Sequence, residues 1–502
     1  MQILLSIRPA LPAIFLLITL IQINFHILPL YWPDEALFSS PAAQLAASGS
    51  FSSPVLYGLI PGMDQATLWN SPFFMVLLSG MYSLAGGESL EWARGLPMIL
   101  GILSIIFFSA NLQFFVSRFE LSALLPVILV MDPVFQRAAN TARMDILALC
   151  FFLISHYFLL QDFSERKYKN TLKYSFIAGI FTGLAGLSHP FAVFFTPVLL
   201  IYLLPDIKKI FTAALGVLLG ISPWLFYIIP NISIFKVQFL SQLSRKSDIF
   251  YIWGGETGGI LKVFFSQYGN AWIMAAGFLV FSFAITAGIL YLWKIRKHWK
   301  DDLFFRLFFS FLCIFGAALV TSEGWYALYA GPFLILTTLH LSDSALLDLR
   351  LRYKLQINNL NHLPLVFLSI FFITSTSLYL YKNHIKNNTT AVVKSFIQTS
   401  INQVRPCTSV YLRVRPDPYF FFRKQYPKME VLEFIPGKLQ FKGRDASLFK
   451  RYNEIQCFFI DSNDAWEPVL TEYLKQNKDL FEQRSIYFAL PVGNARLFIR
   501  KH

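Results

Sequence analysis

Apolar runs of bilayer-spanning length recur from the N-terminus to about residue 381, and beyond that point the chain changes to shorter alternating units. A helix needs roughly 20 mostly apolar residues to cross the hydrocarbon core. Such runs centre on 10–30, 94–116, 144–161, 174–188, 190–204, 211–229, 270–293, 303–320, 326–341 and 363–381, with two shorter ones at 72–86 and 121–136. The tail reads as a helix near 391–403, strands near 409–414, 429–435 and 455–461, and a helix near 465–476. Two closing strands, 485–491 and 495–500, are joined through Val492-Gly493-Asn494, a hairpin signal. The chain thus divides into a polytopic α-helical membrane module, 1–381, with about 11 transmembrane helices (range 11 to 13), and a soluble α/β domain, 382–502.

The basic residues indicate which face each loop occupies. Arg166, Lys167, Lys169 and Lys173, then Lys208 and Lys209, then Lys294, Arg296, Lys297 and Lys300, then Arg350, Arg352 and Lys354 form four basic loops. The cytoplasmic bias of Lys and Arg puts all four inside. They fall inside together when 121–136 crosses, 72–86 lies along the interface, and the first run is a retained anchor with a cytoplasmic N-terminus. The C-terminal domain is then extracytoplasmic, which in a bacterial inner membrane means periplasmic. One outer face collects a first loop at 31–93, the turn 137–143, His189, a flap at 230–268, Glu323 to Tyr326, and the tail.

Composition agrees with a bilayer as the solvent: 55% of residues are hydrophobic, 17% aromatic and only 14% charged, off the balance of soluble chains. The net charge of +14 does not point to nucleic acid, because most Lys and Arg sit in short loops between apolar runs. Of four cysteines, Cys150 and Cys313 lie in apolar runs and Cys407 and Cys457 in the tail. An extracytoplasmic tail permits a Cys407–Cys457 disulfide; two separate thiols are the other reading.

The sharpest chemical signal is Tyr31-Trp32-Pro33-Asp34-Glu35, two adjacent carboxylates directly after the first run. Asp34 reads as the N-cap of a short interfacial helix over 36–47, with Glu35 in its first turn, where the helix dipole favours both anions. The pair either only caps that helix or supplies a partly desolvated general base for a hydroxyl. Arg143-Met144-Asp145 brings an acid into the outer end of a span, with Asp132 just before it. Ionisable groups there are costly and mark function, unless Arg143 simply neutralises Asp145. Ser188-His189-Pro190 puts a histidine on the same face, either structural or available to a metal or an anionic substrate. The flap carries Lys236, Arg245, Lys246 and Lys262 against the usual charge bias, interleaved with Phe239, Phe250, Tyr251 and Trp253. Arg245 and Lys246 there either neutralise an anionic headgroup or snorkel to the interface. Glu323-Gly324-Trp325-Tyr326 and Tyr329-Ala330-Gly331-Pro332 open a late run with acidic and aromatic residues, much as an aromatic belt does.

Five segments follow one another over residues 31–332: Asp34-Glu35; Ser71-Pro72-Phe73-Phe74; Gly87-Glu88-Ser89-Leu90-Glu91-Trp92-Ala93-Arg94-Gly95-Leu96-Pro97; Arg143-Met144-Asp145-Ile146-Leu147; and Trp325-Tyr326 to Pro332. In that order and spacing they resemble the GT-C superfamily of polyprenyl-phosphate-sugar-dependent glycosyltransferases, in particular the branch of protein O-mannosyltransferases and lipid A aminoarabinose transferases. The resemblance implies inverting transfer of a sugar from a polyprenyl-phosphate donor to a hydroxyl of a glycan, lipid or protein acceptor at the outer face. By position it implies Asp34 as general base beside Glu35, and Asp145 as a second acid. Arg143, His189, Arg245, Lys246, Tyr326 and Tyr329 would surround the substrate. The phosphate leaving group needs cationic or metal stabilisation, assigned to Arg245, Lys246 and His189; a divalent metal is compatible with the sequence but not required by it. Where aminoarabinose transferases have an acid and a lysine before paired prolines, this chain has Trp69-Asn70-Ser71-Pro72, so that metal ligand and that lysine are not reproduced. Two other classes stand as alternatives. O-antigen polymerases or ligases typically lack an acidic pair after the first span, and a lipid-linked sugar flippase should show charged or broken-helix positions at mid-span.

Overall fold

The computed structural model describes the chain apart from residues 1, 29, 117, 166–171, 245–258, 296–301, 322–323, 354–362, 434–449, 462–467, 488–493 and 502. The membrane part is helical. It begins with α1 (Gln2–Asn24), α2 (Pro33–Ser48), α3 (Phe73–Ala85), α4 (Leu90–Leu112), α5 (Phe119–Val130), α6 (Pro133–Ala139), α7 (Asp145–Glu165) and α8 (Leu172–Ser188). It continues through α9 (Thr196–Leu203), α10 (Ile207–Ile228), α11 (Ile232–Ser244), α12 (Gly259–Phe265), α13 (Ala271–Ile295), α14 (Leu303–Val320), α15 (Ala327–Tyr353) and α16 (Leu363–Leu380).

Among the described residues, seven helical stretches are long and apolar enough to cross a bilayer: α1, α4, α7, α10 with the start of α11, α13, α14 and α16. The expected span at 121–136 is bent instead of straight. Its halves α5 and α6 meet at 73°, because Asp132 caps α6 through the Val134 N–H and Pro133, lacking an N–H, opens it. The run 190–204 is not one helix either: a 3₁₀ turn, Pro190–Phe195, precedes the eight-residue α9, with a proline at the start of each. The other expected spans form α8, of 17 residues, and the start of the 27-residue α15. The 72–86 run forms only the 13-residue α3, too short to cross.

Helices α8 and α10 approach closely where two small-residue spacings face each other. A Cβ added at Gly179 would lie 2.1 Å from the Ala213 carbonyl oxygen, and one at Gly216 would lie 2.3 Å from that of Phe176. Only glycine lets the two backbones touch in this way.

The tail holds α17 (Thr389–Val404), β1 (Ser409–Arg413), α18 (Tyr419–Gln425), β2 (Glu430–Glu433), β3 (Cys457–Asp461), α19 (Pro468–Gln476), β4 (Phe481–Tyr487) and β5 (Asn494–Arg500). The sheet order is β2-β1-β3-β5-β4; β1 runs parallel to both of its neighbours, and β5 is antiparallel to β3 and β4. The first hairpin strand starts at Phe481 and not at 485, since Phe481 is buried and pairs with Arg500. Val492 and Gly493 of the turn lie outside the described residues. Helix α18 was not anticipated. Cys407 and Cys457 form a disulfide, whereas Cys150 and Cys313 are free. One buried apolar cluster runs from the membrane helices into this domain, so the sheet is docked on the module and packs against it.

Candidate active site

Helix α2 starts at Pro33, with Trp32 as its N-cap and Asp34 and Glu35 as its second and third residues. Asp34 is therefore not the cap that its spacing suggested. Proline takes the first helical position, where a missing N–H costs nothing. Consecutive helical residues point about 100° apart, and the two acids meet different surroundings.

Glu35 turns inward and is 1% exposed. Its Oε1 accepts from Arg94 Nε at 2.8 Å and from the Ala142 N–H at 3.1 Å; its Oε2 accepts from Arg94 Nη2 at 2.6 Å and from the Trp32 N–H at 3.2 Å. Arg94, itself fully buried, also donates to the Phe25 carbonyl. Glu35 thus ties α2 to α4 and to the turn that carries Arg143. It positions the site and has no lone pair left over for a substrate.

Asp34 meets the same turn through the neighbouring residue, Arg143, and is less buried. Arg143 Nη1 donates to Asp34 Oδ2, and Arg143 Nε donates to Asp145 Oδ2 at 2.9 Å. One guanidinium therefore bridges two carboxylates that lie 111 positions apart in the chain. The side chains of Arg143, Asp34 and Asp145 are only 11%, 17% and 7% exposed. Burial works against the charge on Arg143, but Asp145 and Asp34 outweigh it and hold its pKa above the ordinary guanidinium value. The Phe191 N–H donates to His189 Nδ1 at 2.9 Å, which makes Nε2 the protonated nitrogen; it lies 3.5 Å from Asp145 Oδ1. Tyr329, fully buried, donates to the Asp145 backbone carbonyl at 3.2 Å and stacks on Phe191, while Tyr326 sets its ring edge against His189. Both tyrosines thus buttress His189, and Tyr329 also holds Asp145. Arg245, Lys246 and Glu323 lie outside the described residues.

Two arginines that the sequence reading passed over complete the surroundings. Arg137 donates to Gln267 at 2.9 Å, with its guanidinium 5.2 Å from the centre of the Trp32 ring and 5.9 Å from that of Trp325. Arg415, from the loop after β1, lies 3.5 Å from the centre of the Trp32 ring, and Asp34 is the acid that attracts it most. The Asp417 N–H, donating to the Tyr31 carbonyl at 3.0 Å, fastens this loop to the start of α2. The tail domain therefore sets a cation on Trp32, two residues before Asp34. Among the described residues no three or more His, Cys, Asp or Glu side chains gather as a metal site does; the cation between Asp34 and Asp145 is a guanidinium.

Burial pushes the Asp417 carboxyl up to about 7, although the Tyr419 N–H and a hydrogen bond with Glu433 pull it down. An unfolded aspartate titrates near ~3.9. The folded form therefore binds more protons between those values, so stability from this group falls as pH rises from about 4 to about 7 and levels off above. Asp417→Asn is expected to remove that slope, so that its thermal midpoint gains on the wild type's over this range. Parallel midpoint curves would contradict the assignment.

Two solved structures superpose on most of the chain. ArnT from Cupriavidus metallidurans, crystallised with undecaprenyl phosphate bound, aligns over 96% of this chain and 97% of its own length, with 14% identity and a TM-score of 0.55. The Archaeoglobus fulgidus oligosaccharyltransferase in its apo form aligns over 91% of this chain and 69% of its own, with 12% identity and a TM-score of 0.50. The chain shares the fold of these two proteins. No family model and no curated protein sequence matches it. That shared fold accounts for the architecture, an integral membrane helical module with a small sheet domain at its C-terminus.

Proposed function

We propose that the protein is a membrane glycosyltransferase that moves a sugar from a polyprenyl-phosphate donor to an acceptor hydroxyl at the junction of α2, the 137–145 turn and the tail domain. The observation that supports this most is the single charge network joining Asp34, Arg143, Asp145 and His189, in a fold whose ArnT example carries undecaprenyl phosphate. The charge bias of the basic loops supports an extracytoplasmic position for this network.

In this reading the Asp34 carboxylate takes the acceptor's proton as the acceptor oxygen bonds to the anomeric carbon. The bond from that carbon to the phosphate oxygen breaks, its electron pair leaves with the polyprenyl phosphate, and the anomeric configuration inverts. Arg143, Arg137 and Arg415 face the developing phosphate charge, which preorganised cations stabilise most. Arg143 is shared between two acids in the free protein. A phosphate that draws it away leaves Asp34 open to the acceptor's proton, while Asp145 and His189 keep the guanidinium in reach.

Purified protein in nanodiscs, given labelled polyprenyl-phosphate hexoses and pentoses with a panel of glycan, lipid and peptide acceptors, is expected to transfer label from at least one donor. Arg143→Ala should lower that transfer by about 10²–10³-fold. Transfer from none of the donors, or an Arg143→Ala rate equal to wild type, counts against the reading.

A further inference from the structure

A cavity of about 710 Å³ lies between α2, the end of α3 and the tail domain, far larger than the roughly water-sized space of about 20 Å³ beside Arg143 and Asp145. Its floor is the Glu88 carboxyl. Oε1 accepts from Ser39 Oγ at 2.6 Å and from Tyr419 OH at 2.9 Å, and Ser39 Oγ also meets Tyr82 OH at 2.5 Å. Oε2 has Arg423 Nε at 3.7 Å, beyond hydrogen-bond reach. One carboxyl oxygen and a guanidinium, on a side chain 40% exposed, therefore border the open space with bonding capacity to spare. Tyr57 presents an aromatic ring in the wall, with Tyr82 and Tyr419 buried just behind it, and Lys428 and Glu430 keep the rim balanced in charge.

A ring of hydroxyls suits this lining. The Tyr57 ring packs on its C–H groups, and a carboxyl beside a guanidinium bonds adjacent hydroxyls as acceptor and donor. The two carboxyls offset the charge of Arg423 and Lys428, which suits a neutral ligand better than a phosphate, and the polar floor disfavours a lipid tail. The volume falls within the roughly 300–1,000 Å³ of small-ligand sites. We propose that this cavity is a saccharide-binding site separate from the reaction centre. Ser40 and Ala47 in its wall belong to α2, so a ligand there sits about 10–20 Å along the helix from Asp34. On the transferase reading above, that favours a glycan acceptor whose far sugars are held here; this last step rests on that reading, and the binding itself does not.

The test is a titration of full-length protein in nanodiscs, free of sugar-headed detergent, with methyl β-glucoside, methyl α-mannoside, methyl β-galactoside and lactose, followed by saturation-transfer NMR. At least one is expected to bind saturably and to be indifferent to added undecaprenyl phosphate. Binding should weaken about 10-fold or more in Ala47→Trp, which fills the cavity, and in Arg423→Ala, which removes the guanidinium; thermal unfolding confirms that both variants fold. No saturable binding of any of the four, or binding that survives both substitutions, overturns the proposal. So does binding that undecaprenyl phosphate displaces and Ala47→Trp retains, because the sugar then sits at the reaction centre. A protein that transfers sugar yet binds none here refutes this site alone, and one that binds here yet transfers none refutes the transferase reading alone.

Discussion

Asp34→Asn is expected to lower sugar transfer by about 10²–10⁴-fold, the usual worth of a positioned general base, while the protein stays folded. Asparagine keeps the shape of the side chain and an oxygen for Arg143 but has no basic carboxylate. The arginine keeps its second partner, Asp145, at 2.9 Å, so no buried charge is stranded. Initial rates beside a thermal melt separate the two effects. A variant that transfers at the wild-type rate removes Asp34 from the role of base.

The neighbouring acid should behave in the opposite way. Glu35→Ala strips Arg94 of both of its carboxylate contacts in a site where Glu35 and Arg94 are each 1% exposed, and it frees the N–H groups of Ala142 and Trp32. Breaking a buried pair by removing one member costs about 3–5 kcal/mol, since the other charge stays buried without its partner. The expected result is a large drop in the unfolding midpoint and in the yield of folded protein. Arg94→Ala should lose a similar amount, and the double variant less than the sum, because the two share one interaction. A Glu35→Ala protein as stable as wild type would show that the pair does not hold α2 in place. Of these two adjacent carboxylates, one is thus expected to set the rate and the other the stability of the fold.

Much of the fold was legible because apolar runs and proline positions act locally. The runs at 94–116 and 303–320 became the helices Leu90–Leu112 and Leu303–Val320. The misreadings also have local causes. Pro190 and Pro197 broke a run whose hydropathy alone looked continuous, and Pro33 moved Asp34 two places into its helix. The site was harder, because its contacts join distant positions. Arg94 stood within the Ala93-Arg94-Gly95 stretch already singled out, yet its partner lies 59 residues earlier, a pairing that no local spacing reveals. Arg415 sits in the tail, where the sequence offered no transferable motif. The available signal was Arg415-Pro416-Asp417, two opposite charges around a proline at the end of a strand, which marks a stiff polar loop but not what it touches.

The central claim is that Asp34 drives inverting displacement of a polyprenyl phosphate. The most direct measurement follows the anomeric proton of the sugar and the phosphorus of the lipid by NMR in one reaction, with wild type beside Asp34→Asn. The account predicts that wild type releases free polyprenyl phosphate as a product of opposite anomeric configuration accumulates, and that the variant does neither at a comparable rate. A product that retains the donor's configuration, or equal release by the two proteins, would contradict it.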